Sequence, residues 1–151
     1  MNIEITNIIL DDLESIYKLG TGIDDFSADG GENIFWPKET LTRLFQSEDD
    51  VCMALRVNRE IVGFSLTMIH PATKKAVLEN FVVKDEYQHL AQEFLDETER
   101  AIEKKDAQFI AYFFDQEDDV NEKEFFDSNG YFTGNSHYWM HKNISFSNPK
   151  N

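Results

Sequence analysis

The chain has 151 residues, enough for one domain, and its 13 phenylalanines imply a core packed largely with rings. Its formal charge of −15 would repel phosphodiester backbones, which excludes nucleic acid as a partner; the same charge favours amines, polyamines or basic proteins, or serves only solubility. No apolar run approaches the ~20 residues of a bilayer span, the N-terminus has no basic flank and apolar stretch of a signal peptide, and the single cysteine, Cys52, forbids an internal disulfide, so no membrane partner and a cytoplasmic location are expected.

Residues 3–9 alternate apolar and polar and predict a strand. Asp11 and Glu14 have capping-box spacing, and Leu13, Ile16, Tyr17 and Leu19 continue at helical intervals until Gly20 and Gly22. Thr21 to Trp36 reads as a loop rich in Gly, Asp and Ser. Pro37 suits a first helical position ahead of the Leu41, Leu44, Phe45 stripe. Two strands follow, Val51–Val57 and Ile61–Ile69, joined by Asn58-Arg59-Glu60; after a break at His70-Pro71-Ala72-Thr73 comes a third, Ala76–Val83. Leu90, Phe94, Thr98, Ala101 and Ile102 share one face of a helix ending near Lys105, and Phe109–Phe114 is an aromatic strand. Asp119 and Glu122 are placed to cap a short helix through Phe125 and Phe126, stopped by Asn129-Gly130. Tyr131-Phe132 and His137–Lys142 pattern as a final hairpin, with residues 145–151 as a loose tail.

The expected architecture is therefore a single α/β (α+β) domain over residues 1–144. Its order is β-α-α-β-β-β-α-β-α-β-β, with a mixed central sheet of six to seven strands and helices on both faces. Many functions sit on such a frame, and periodicity alone does not choose among them.

Three stretches carry a more specific signal: Ile61-Val62-Gly63-Phe64, then Leu78-Glu79-Asn80-Phe81-Val82-Val83, then Asp85-Glu86-Tyr87-Gln88. In this order and spacing they resemble the GNAT superfamily of acyl-coenzyme A N-acyltransferases, whose members read IVGF on the third strand, IENLYV on the fourth and P-x-Y-Q/R-G-x-G-x-G/A into the next helix. Asp119 to Tyr131 is similar to that family's N-x-x-A-x-x-F-Y-x-x-x-G-F segment. The resemblance runs over almost the whole chain. It implies that the fourth and fifth strands splay, that the pantetheine arm of acetyl-CoA lies against backbone at Phe81, Val82 and Val83, and that the pyrophosphate meets amides around Gln88, His89, Leu90 and Ala91 at a helix N-terminus. It also implies an amine acceptor, small or protein-borne, attacking the thioester directly. Glu79 then orders the water that takes the proton.

The sequence departs from the family pattern in two places. His89 stands where the middle glycine would be, two loop residues are missing, and only Ala91 keeps its expected type. Glycine is needed there for positive φ and close approach to phosphate. Losing two charge-assisted hydrogen bonds would cost ~3–6 kcal/mol, or ~10²–10⁴-fold in affinity. Second, Phe126 occupies the place of the usual general-acid tyrosine and has no proton to give, and Asp119 that of the usual asparagine. Asn121 and Tyr131 are the nearby polar alternatives.

The early loop carries Asp24, Asp25, Asp29 and Glu32, with Asp25, Phe26 and Trp36 as candidate acceptor-binding residues; the same residues also read as a solvated acidic loop and a packed aromatic. The run Asp115–Asp119 lacks the glycine and spacing of a calcium loop, and His70, His89, His137 and His141 include no pair at helical ligand spacing, so no metal is expected. Two functions from different classes follow. One is an N-acetyltransferase using acetyl-CoA. The other is a degenerate module of the same fold that binds a ligand or protein without catalysis, with homodimerisation through the aromatic C-terminal strands as an accompaniment.

Overall fold

Five strands and four α-helices form among the described residues, which in the computed structural model are 1–22, 36–113, 120–134, 140 and 142. In chain order they are β1 (Ile3–Asn7), α1 (Leu13–Thr21), α2 (Lys38–Gln46), β2 (Val51–Val57), β3 (Glu60–His70), β4 (Lys75–Val83), α3 (Ala91–Glu103), β5 (Phe109–Tyr112) and α4 (Val120–Ser128). The strands lie in sequence order in one sheet, antiparallel from β1 to β4 and parallel between β4 and β5. The mixed sheet is as expected, and five of the six to seven expected strands form among the described residues. Tyr131-Phe132 forms no strand, because the Tyr131 N–H turns back to the Phe126 carbonyl at 3.1 Å and closes the end of α4. The rest of the expected hairpin, residues 137–142, lies almost wholly outside the described residues, as do Asp119 and the 145–151 tail.

Strand alternation gives the sheet two buried faces. On one, Cys52, Ala54, Phe64, Leu66 and Val82 pack with Ile16 of α1 and Leu41 and Leu44 of α2. On the other, α3 buries Phe94, Leu95, Thr98 and Ile102; its Thr98 hydroxyl shares a 3.0 Å hydrogen bond with Ser65 of β3, and its Phe94 ring stacks on Phe81 of β4 at 5.4 Å. Helices thus cover both faces of the sheet. Gly63 of β3 lies hard against β4: a Cβ there would lie 2.7 Å from the Val82 carbonyl oxygen, so no side chain fits without moving backbone.

The local differences from expectation have local causes. The β2–β3 turn is two residues, not three: Asn58 and Arg59 both have positive φ (51° and 74°), the geometry of a tight hairpin turn, so β3 begins at Glu60. Asp11 does not cap α1. A 3₁₀ turn over Leu10–Asp12 precedes that helix, and it is Asp12 whose carboxylate accepts from the Ile9 N–H at 2.9 Å and from the two terminal guanidinium nitrogens of Arg56 at 3.0 and 2.6 Å. Burial pushes the Asp12 pKa up, but Arg56 and the Ile9 N–H together hold it below the usual carboxylate range. Pro37 is the residue before α2 rather than its first turn, with extended ψ of 141°. Gly20 is a buried helical residue and Gly22 ends α1.

The chain divides into two compact units, Met1–Phe113 and Phe114–Asn151. The described part of the second is α4 and the turn after it, where Gly130 adopts φ of 87° as the expected helix stop. No helix among the described residues is long and apolar enough to cross a membrane.

Candidate functional site at the bulged end of the fourth strand

The two neighbours of β4 hold different lengths of it. Against β5 the ladder covers Lys75 to Leu78 and ends at the Leu78–Tyr112 pair. Against β3 it runs on to Val83, but with a slip: Leu66 pairs with Asn80 while Thr67 pairs with Leu78. Glu79 is therefore a bulge residue with no partner on β3, placed at the point where the β5 ladder stops. Bulges bend a strand and re-aim its side chains.

Glu79 is exposed as a residue, and no hydrogen bond or ion pair within the described residues holds its carboxylate. Its carboxyl is nonetheless flanked by protein, and that partial burial raises its pKa above the ordinary value, with the charge of His70 pulling the other way. A more basic carboxylate is a better proton acceptor near neutral pH. Next to it, Asn80 accepts a 2.9 Å hydrogen bond from the Trp36 indole N–H. That bond brings Trp36, half-buried against the α1–α2 side of the core, to the residue beside Glu79.

Beyond the bulge the backbone alternates edges. The Lys84 N–H donates to the Val62 carbonyl at 2.9 Å and so faces β3. By the two-residue period Val82 also directs its N–H and C=O to β3, whereas Phe81 and Val83 direct theirs to the β5 side. Of the three residues expected to offer backbone to a ligand, two thus face that edge and Val82 does not. The Val83 carbonyl accepts a 2.7 Å hydrogen bond from the Gln88 side-chain amide.

The segment after β4 is not a glycine-type loop. Asp85–Leu90 is a 3₁₀ run, kinked at Tyr87 (φ −117°, ψ 16°), that leads directly into α3. Positive φ is absent from Lys84–Ala91. The Tyr87 N–H is bonded to the Lys84 carbonyl and the Ala91 N–H to that of Gln88, so amides that an anion would need are engaged within the turn. Leu90 and Ala91 are buried, while His89 is exposed with its ring 6.4 Å from that of Tyr87.

The remaining candidates are placed as follows. Asp25 and Phe26, with Asp24, Asp29 and Glu32, lie outside the described residues, as does the acidic run Asp115–Asp119. Asn121 is exposed on α4; Phe126 is buried there, edge-on to Phe125 and Tyr131 at 5.3 and 5.0 Å. Burial pushes the Cys52 thiol up to about 12, which leaves it unreactive at neutral pH. A groove of about 300 Å³ between α3 and β5 is lined by Asp96, Glu99, Arg100, Glu103 and Ile110. It flanks the closed half of β4, and its three carboxylates disfavour phosphate. Among the described residues no group of three or more His, Cys, Asp or Glu could hold a metal ion.

Asn80 escaped the sequence reading. Its signal was composition: asparagine is depleted in strand interiors, and one in the middle of an apolar strand marks a polar task.

No protein-family model matches the chain, and no curated protein matches it. Solved structures do. An aminoglycoside acetyltransferase from an uncultured soil metagenomic sample, in complex with sisomicin, is 15% identical with a TM-score of 0.74, covering 93% of this chain and 97% of that one. PaiA N-acetyltransferase from Thermoplasma acidophilum, in complex with coenzyme A, is 20% identical with a TM-score of 0.68, covering 85% and 89%. An acetyltransferase of the GNAT family from Staphylococcus aureus Mu50 is 15% identical with a TM-score of 0.71, covering 85% and 84%. At these identities the likeness is one of fold: the chain has the GNAT fold.

Proposed function

We propose that this protein is an N-acyltransferase that moves an acetyl or other acyl group from coenzyme A to an amine. The observation that carries the reading is the Glu79 bulge at the end of the β5 ladder, which sets an available carboxylate of raised pKa beside a strand edge. Neighbours of the same fold include one in complex with coenzyme A and one in complex with an aminoglycoside, sisomicin, which supports both halves of the proposal.

In this reading the outward backbone of Phe81 and Val83 receives the pantetheine amides as an added strand would be received. Acyl-CoA supplies the thioester. Glu79, directly or through a water, takes a proton as the acceptor nitrogen attacks the thioester carbonyl; the C–N bond forms, the C–S bond breaks, and the thiolate leaves. Trp36, held by Asn80, meets the acceptor, and Asp25 and Phe26 are further acceptor-binding residues in this reading. The overall charge of −15 draws in cationic amines. The 3₁₀ run fits a pyrophosphate poorly as it stands, so binding is weak unless that run rearranges.

The same 3₁₀ run, with its engaged amides, favours a second reading: a module of this fold that binds a ligand or protein and does no chemistry. Calorimetric titration with acetyl-CoA, followed by an amine screen reading thiol release, separates the two. Binding with turnover that Glu79→Gln abolishes supports the enzyme; binding without turnover of any amine leaves the module; no binding at millimolar acetyl-CoA removes the enzyme reading.

A further inference from the structure

We infer that Gln88 is a latch that couples the β4 edge to the 3₁₀ run behind it, and that acyl-CoA must release it to bind. The inference rests on the acyl-CoA reading and adds to it how the site opens. Gln88 lies in the second half of the 3₁₀ run, past the Tyr87 kink, which turns its side chain back over the end of the strand it has just left. Its amide donates at 2.7 Å, at the short end of the N–H···O range, to the Val83 carbonyl. That carbonyl belongs to the edge facing away from β3, past the last β5 pair, where an extended ligand carrying amides would add to the sheet.

The bond therefore does two things at once. It takes one lone pair of a carbonyl that a ligand amide would use and places a carboxamide in the path of approach. It also ties the 3₁₀ run to the strand while amides there are already bonded to backbone, that of Tyr87 to the Lys84 carbonyl and that of Ala91, at the start of α3, to the Gln88 carbonyl. Releasing Gln88 frees the carbonyl and unties the run from the strand, and the untied run can then rearrange to turn the Tyr87 and Ala91 amides, now bonded to backbone within the turn, towards a phosphate.

Gln88→Ala and Gln88→Met, the second close in shape but without a donor, test this by titration of acetyl-CoA into each beside the natural protein, with thermal unfolding as the folding control. Removing one competing hydrogen bond predicts binding about three- to tenfold tighter in both variants. If Gln88→Ala does not fold, Gln88→Met decides. Equal or weaker binding in the folded variants, with the natural protein still binding, overturns the latch and leaves the acyl-CoA reading intact; no binding by any of the proteins overturns both. In the natural protein the Gln88 side-chain amide resonances are expected to move to free-amide positions as acetyl-CoA is added. Saturation with those resonances unmoved overturns the latch by a route independent of the variants.

Discussion

The two halves of β4 belong to one strand and play different parts. Lys75–Leu78 is paired on both sides, and Ala76, Val77 and Leu78 are buried; this half is scaffold. Glu79–Val83 lies past the β5 ladder, carries the bulge, and places a carboxylate, an asparagine and outward backbone at one spot. What separates them is a single unmatched residue and the point at which the neighbouring strand stops. In the proposed reading, the site arises where one side of a ladder ends before the other.

Two truncations test the contrast most forcefully. Phe94 is fully buried and stacks on Phe81, so Phe94→Ala is expected to cost about 3–5 kcal/mol in chemical denaturation and also to weaken acetyl-CoA binding, since it removes the support under the bulged half. Leu78→Ala, in the paired half, is expected to cost about 2–4 kcal/mol while the folded protein binds acetyl-CoA as before. Equal binding losses in both would erase the distinction. Gly63→Ala comes next, at about 1–3 kcal/mol, because its Cβ would press on the Val82 carbonyl and push β4 outward.

The smallest effect on stability is the most informative about function. Glu79→Gln is expected to change unfolding free energy by under ~0.5 kcal/mol at neutral pH, as an exposed substitution, yet to lower acyl transfer about 10²-fold or more. In the proposed mechanism the ionised form accepts the proton, and its pKa is raised. Activity should therefore fall on acidification while the pH is still above the ~4.3 of an ordinary glutamate, and return as the pH rises through the raised pKa. In Glu79→Gln any residual activity should lack that acidic limb. A limb that persists assigns the titration to another group.

Much of this was legible beforehand because it is local. The β2, β3 and β4 patterns and the Gly130 stop follow from alternation and turn chemistry, and the helical faces of α1, α2 and α3 from apolar spacing. The Ile61–Phe64 and Leu78–Val83 stretches carried the fold, and Gly63 earned its place through the Val82 carbonyl it approaches. What stayed hidden depends on pairing between distant residues. The bulge at Glu79 exists only in the register of β4 against β3. Asp12 displaces Asp11 because Arg56, 44 positions away, takes its carboxylate. The absence of glycine from Lys84 to Ala91 was plain in the sequence, but the 3₁₀ run and the Gln88 bond there were not, since a side chain folding back on its own strand leaves no periodic trace.

The most direct measurement is an amide chemical-shift titration of isotope-labelled protein with acetyl-CoA. Binding at the bulged end of β4 requires that Glu79 to Val83 and Gln88 to Ala91 shift together while Ala76 to Leu78 hold still. Shifts confined to the α3–β5 groove, or none along β4 at saturating ligand, would contradict it.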